Sequence, residues 1–117
     1  MKLPDLGNAE IPQKKITGYL LSTTHRHGRG KAAIFERYGF SAQHWETLAE
    51  ALRRHAAENE IVKIERTPFG TRYIIEGPLQ APNGERPYLR VVWFIEHGQT
   101  TPRLATAYPL KRPSSLR

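Results

Sequence analysis

The hydrophobic period of this chain changes once, at Asn59, and that change restricts the fold to helices followed by strands. Before it, Trp45, Leu48, Ala49, Leu52 and Ala56 fall at i, i+3, i+4, i+7 and i+11, the apolar stripe of an amphipathic helix. After it, Val62 and Ile64 alternate with Lys63 and Glu65, the period of a half-buried strand. Strands that follow one another through short turns pair antiparallel, and the helical block then needs a sheet face to cover its stripe.

The remaining elements fit that plan. Pro12 suits the first turn of a helix running to about Ser22, with Ile16, Tyr19 and Leu20 on one face and Gly18 as its weak point. A second helix, about 29–38, stops at Gly39 as its C-cap. Ser41 is the N-cap of the third, about 42–58, whose far side carries Arg53 and Arg54 and whose surface residues include His55. Strands are expected at 60–67, 71–76, 88–96 and 103–108, divided by Pro68-Phe69-Gly70 and Pro82-Asn83-Gly84 and stopped by Pro109. Val91-Val92-Trp93-Phe94-Ile95 is apolar at every position, as in a central strand covered on both faces. The sequence therefore predicts an α+β fold: about three N-terminal helices packed on one face of a four-stranded antiparallel sheet. Residues 1–110 form the single domain, and 111–117 are a basic tail expected to be mobile. Trp45, Leu48, Leu52, Phe35, Ile75, Val92 and Phe94 are expected to be buried together.

A chain of 117 residues without cysteine has one core and neither disulfides nor thiolate metal sites. It has no apolar run of membrane-span length, and Met1-Lys2-Leu3-Pro4-Asp5 has no apolar signal-like stretch. These features predict a cytoplasmic protein without a membrane partner. The net charge is +7, and it is unevenly placed: residues 61–117 hold nine Lys and Arg against four acids, residues 1–60 nine against seven. That excess predicts a polyanion partner, RNA first, or an acidic protein.

The densest chemistry lies in Thr24-His25-Arg26-His27-Gly28-Arg29-Gly30-Lys31, where five of eight residues are His, Arg or Lys and none is acidic. Imidazole is the side chain that can change charge near neutral pH. Surrounding cations and the lack of a carboxylate cluster argue against a metal there, and no cofactor is expected. The set suits metal-free RNA cleavage, which needs a base for the ribose 2′-hydroxyl, an acid for the 5′-oxygen and cations for the phosphorane. Arg26, His27 and Arg29 are candidates for holding the substrate. Late in the chain, Arg103, Thr106 and Tyr108 add a cation and two hydroxyls on one strand. By the period-two rule Thr106 and Tyr108 share a face, and Arg103 joins them only if the strand is bulged. Taken singly, each residue also has a plain structural explanation: Lys31 can lie along its helix and Tyr108 can be a core ring with its hydroxyl outside.

Many pieces also carry a family resemblance in order and spacing. They are Lys15-Ile16-Thr17-Gly18-Tyr19-Leu20-Leu21-Ser22, His25 with Gly28 and Lys31-Ala32-Ala33-Ile34-Phe35, Tyr38-Gly39-Phe40, Trp45, Gly77-Pro78-Leu79, Pro82-Asn83-Gly84, Val92-Trp93 and Pro102–Pro109. Over roughly residues 1–110 the chain resembles a bacterial family of small proteins and toxin-like modules, domain of unknown function 6883. More loosely it is similar to the barnase, EndoU and RelE group of metal-independent ribonucleases. That likeness implies His25 and Lys31 from the helical part acting with Arg103, Thr106 and Tyr108 from the last strand; His27, a second imidazole, departs from the pattern. The function expected is that of a small basic endoribonuclease, the toxin of a bacterial toxin–antitoxin pair with an acidic antitoxin. The rival expectation is a non-catalytic binding module, an antitoxin or immunity-like protein or an RNA-binding adaptor using the same basic surface.

Overall fold

The computed structural model describes residues 1–22 and 29–110, with Arg29 described by its backbone alone. Helix α1 (Gln13–Lys15) continues as a π-helical stretch, Ile16–Leu20. Its widened turn closes through the Leu21 N–H, which donates to the Ile16 carbonyl at 2.7 Å. Helix α2 is Arg29–Arg37 and α3 is Trp45–Glu58, the latter entered through a 3-10 turn, Ala42–His44. Four strands follow: β1 (Ile61–Thr67), β2 (Gly70–Pro78), β3 (Tyr88–Glu96) and β4 (Arg103–Pro109). They form one antiparallel sheet in the order β1-β2-β3-β4. This is the predicted α+β arrangement. The sequence-predicted tail, 111–117, lies outside the described residues.

Local signals set the helix ends. Gly39 takes φ +100°, a conformation that glycine adopts without a Cβ penalty. The Phe40 N–H reaches the Phe35 carbonyl at 3.1 Å and the Gly39 N–H the Glu36 carbonyl at 2.9 Å, the paired bonds of a Schellman cap. The Phe35 and Phe40 rings meet edge to face at 6.1 Å and seal it. The Ser41 hydroxyl accepts from the His44 N–H at 3.3 Å and starts the next helical segment.

The helices cover one face of the sheet. Ile16, Leu20, Phe35, Leu48 and Leu52 pack there with Ile75, Leu89, Val91, Trp93, Leu104 and Ala107. Leu3, Ala9 and Ile11 of the N-terminal segment are also buried in that core. Three sequence expectations change. First, β3 is covered by helices on one face only. Val92 and Phe94 alternate with Val91 and Trp93 and so point away from the helices. Val92 is nonetheless buried, in a shallow hollow with Ile74, Arg90 and Tyr108, and Phe94 is half-buried. Trp45 is half-buried at the margin of the core. Second, Val62 and Ile64 are 55% and 41% exposed, because β1 is an edge strand and carries a bulge between Ile61 and Lys63. Third, His55 is buried, not at the surface. Its Nε2–H donates to the carbonyls of Gly77 at 3.1 Å and Leu89 at 3.3 Å, which attaches α3 to β2 and β3. Burial holds the imidazole below its ordinary pKa, against the opposing effect of those two carbonyls. Asn59 fills the space beside Gly77, where a Cβ would meet its Oδ1 at 1.9 Å and displace that side chain from the carbonyls of His55 and Pro78.

Candidate functional site

A single inserted residue places the late-strand groups. Val92 pairs with Thr106 while Trp93 pairs with Leu104, so Ala105 is bulged out of register. Leu104 and Ala107, three apart, therefore both face the core. Arg103, Thr106 and Tyr108 pair with Phe94, Val92 and Arg90, alternate residues of β3, and so share the opposite face. The bulge resolves the period-two conflict of the sequence.

At the edge of β4 three of the sequence-predicted residues come together. Lys31, on the first turn of α2, is half-buried. Its ammonium donates to Thr106 Oγ1 at 2.9 Å and to the Tyr19 hydroxyl at 2.8 Å. The same nitrogen stands 5.4 Å from the centre of the Tyr108 ring and 4.7 Å from that of Tyr19. Tyr108 is fixed from its other side, where Arg90 Nη1 donates to its hydroxyl at 3.0 Å. Arg90 is itself paired with Glu76 at 2.5 Å.

Tyr19 is the residue that the sequence reading placed only as part of an apolar face. The hydrogen bond from Lys31, and after it the one with Thr106, hold its phenol below the ordinary tyrosine value. Burial opposes them, and the charges of Lys31 and Lys15 add to the lowering. One sequence signal pointed to it: Lys15 precedes it by four residues, and the Lys15 ammonium lies 5.6 Å from its ring centre.

Arg103 stands apart from this cluster. It begins β4 and pairs with Glu10 at 3.6 Å, and both side chains are more than half exposed. Glu10 also bridges the strand backbone there, accepting from the Leu104 N–H at 2.9 Å and donating to the Pro102 carbonyl at 2.8 Å. His25, Arg26 and His27 lie outside the described residues, as does the side chain of Arg29. His44 and His97 are exposed. Among the described residues no three His, Asp or Glu side chains gather as a metal centre would require. No helix among them is long and apolar enough to cross a membrane.

Chemically, the cluster is an ammonium held by two hydroxyls and two aromatic rings, with no carboxylate bonded to it among the described residues. Such a group places positive charge and proton-bearing oxygens at one point without a built-in anion to neutralise them.

Comparison with known proteins bears on the whole chain. The model of a family described as a domain of unknown function (DUF6883) matches residues 2–111. Among solved structures the chain is similar to a chain of a contact-dependent growth inhibition toxin–immunity protein complex from Klebsiella pneumoniae 342. The TM-score is 0.71 at 18% identity, covering 92% of this chain and 97% of that one. At that identity the likeness is one of fold. Curated proteins gave no match.

Proposed function

The chain belongs to the DUF6883 family, and for this member we propose metal-independent cleavage of RNA by a toxin-type module. The observation that carries the reading is the Lys31 ammonium, bonded to Thr106 and Tyr19 and free of any carboxylate among the described residues. The net charge of +7 supports an anionic substrate, and the fold likeness to a chain of a toxin–immunity complex fits a toxin and an immunity protein alike.

In this reading Lys31 meets the scissile phosphate, and Thr106 and Tyr108 orient it. The ribose 2′-hydroxyl attacks phosphorus, the bond from phosphorus to the 5′-oxygen breaks, and a 2′,3′-cyclic phosphate remains. His25 takes the 2′-proton or returns one to the leaving oxygen, and Arg26, His27 and Arg29 hold the flanking strand. Arg103 adds a second cation once its exposed pair with Glu10 opens, a pair worth at most about 1 kcal/mol. A basic site of this kind calls for an acidic partner protein to cover it, and RNA as substrate places the action in the cytoplasm.

The test is induced expression of the wild type, His25→Ala and Lys31→Met, following growth and RNA integrity together, with purified protein assayed in parallel. Lys31→Met should lower the cleavage rate by about 10²–10³, and His25→Ala by about 10²–10⁴. Wild-type cleavage should persist in a chelator. Wild-type protein that binds RNA and never cleaves it would instead indicate the binding-module reading, an immunity-like or adaptor role.

A further inference from the structure

Lys15 and Lys31 stand over the Tyr19 ring and Lys14 lines a hollow with Tyr19, and among the described residues none of the three lysines pairs with a carboxylate. The cations on the sheet face opposite the helices behave differently: Lys63 and Arg72 pair with Glu65, Arg90 with Glu76 and Arg103 with Glu10. Like charges collected without counter-charge raise the local potential and favour an incoming anion.

Lys14 and Lys15 border an open hollow. A hollow of about 450 Å³ lies between α1, the π-helical stretch and the β4 edge, lined by Lys14, Lys15, Gly18, Tyr19 and Ala105. Two of its lining residues are small. Ala105 is the bulged residue of β4, and Gly18 has open space where a Cβ would project. Tyr19 borders both this hollow and the Lys31–Thr106 cluster, so the two lie side by side.

We propose that this hollow is a second phosphate subsite, in which Lys14 and Lys15 hold a backbone phosphate of RNA next to the phosphate held at Lys31. The identity of the ligand as RNA rests on the functional reading above; the position of the subsite rests on the hollow and its unpaired lysines. Lysine suits the task because its ammonium binds phosphate as a point charge and needs no fixed fork geometry. The RNA backbone then runs across the β4 edge beside α1, not over the exposed face of the sheet.

The probe is a single-stranded 2′-O-methyl oligonucleotide of mixed sequence, which lacks the attacking hydroxyl and is bound without being cut. Its affinity is measured from low to moderate salt for the full chain and for Lys14→Ala/Lys15→Ala. Two lost phosphate contacts should reduce the slope of log affinity against log salt by about 1.4 and weaken binding about tenfold at low salt. Lys14→Arg/Lys15→Arg should restore both, and Lys63→Ala/Arg72→Ala on the sheet should change neither. Both lysines lie outside the core, and equal melting temperatures of the variants verify the fold.

Wild-type affinity and slope in Lys14→Ala/Lys15→Ala would overturn the subsite, while RNA cleavage by the wild type would still stand. A wild type that binds the probe but cuts no RNA would remove the cleavage reading, and the salt slope would still decide the subsite. A wild type that does not bind the probe would overturn both.

Discussion

The exposed face of the sheet and the edge of β4 are both rich in cations, and they differ in what those cations face. On the sheet, Lys63 and Arg72 lie 3.1 and 3.6 Å from Glu65, and Arg90 lies 2.5 Å from Glu76. At the edge, Lys31 faces two hydroxyls, and Lys14 and Lys15 border a hollow lined without an acid. The net charge of +7 cannot separate these regions, because it counts charges and not partners. A paired surface cation has already spent most of its field on its neighbour, whereas an unpaired cluster keeps it for a ligand. The proposed site therefore rests on the lack of a carboxylate paired with Lys31 among the described residues and not on the number of bases in the chain.

Three measurements break or sharpen that contrast. The largest effect belongs to the scaffold common to both regions. Leu52 is fully buried between α3 and the sheet, so Leu52→Ala should cost about 2–5 kcal/mol in a denaturant titration. Both regions should fail in the same transition; separate transitions would show that the β4 edge folds independently of the sheet.

The next concerns Tyr19, and its sign is fixed by Lys31. A hydrogen bond and a positive charge favour phenolate over phenol, so Tyr19 should lose its proton at a lower pH than an unperturbed tyrosine. In an ultraviolet absorbance titration one of the five tyrosines should ionise early. In Lys31→Met that early component should move back up toward the ordinary tyrosine range near 10. A wild-type titration with no early component would mean that Lys31 does not act on Tyr19 in solution.

The smallest effect is on the paired face. Glu65→Gln removes the common partner of Lys63 and Arg72. Stability should change by less than about 1 kcal/mol, as for other exposed pairs. RNA affinity at low salt should rise by no more than about threefold, and the gain should vanish at high salt. A large, salt-resistant gain would show that pairing on the sheet is what directs RNA to the β4 edge.

The sequence by itself determined the elements and the side of the chain on which each class of structure lies. The α3 stripe, the Ser41 cap, the Gly39 stop and the long apolar β3 are all local signals, encoded within a few residues of where they act. Lys31, Thr106 and Tyr108 were also legible as candidates from residue type alone.

Only the tertiary structure decided which of these meet. The Ala105 bulge leaves no mark in Arg103-Leu104-Ala105-Thr106-Ala107-Tyr108, since either register gives a plausible strand, yet it sets the face that Arg103 occupies. His55 is spaced three from Leu52 and seven from Leu48, on the margin of the stripe, and its burial depends on carbonyls at Gly77 and Leu89. The edge position of β1 exposes Val62 and Ile64 despite their alternation. Tyr19 becomes chemically distinct only because α2 brings Lys31 across twelve residues and β4 brings Thr106 across many more. Periodicity and capping are short-range and survive in one dimension. Strand register, ion pairing and the field at a hydroxyl depend on distances between segments far apart in sequence, and these are set only when the sheet and the helices close on one another.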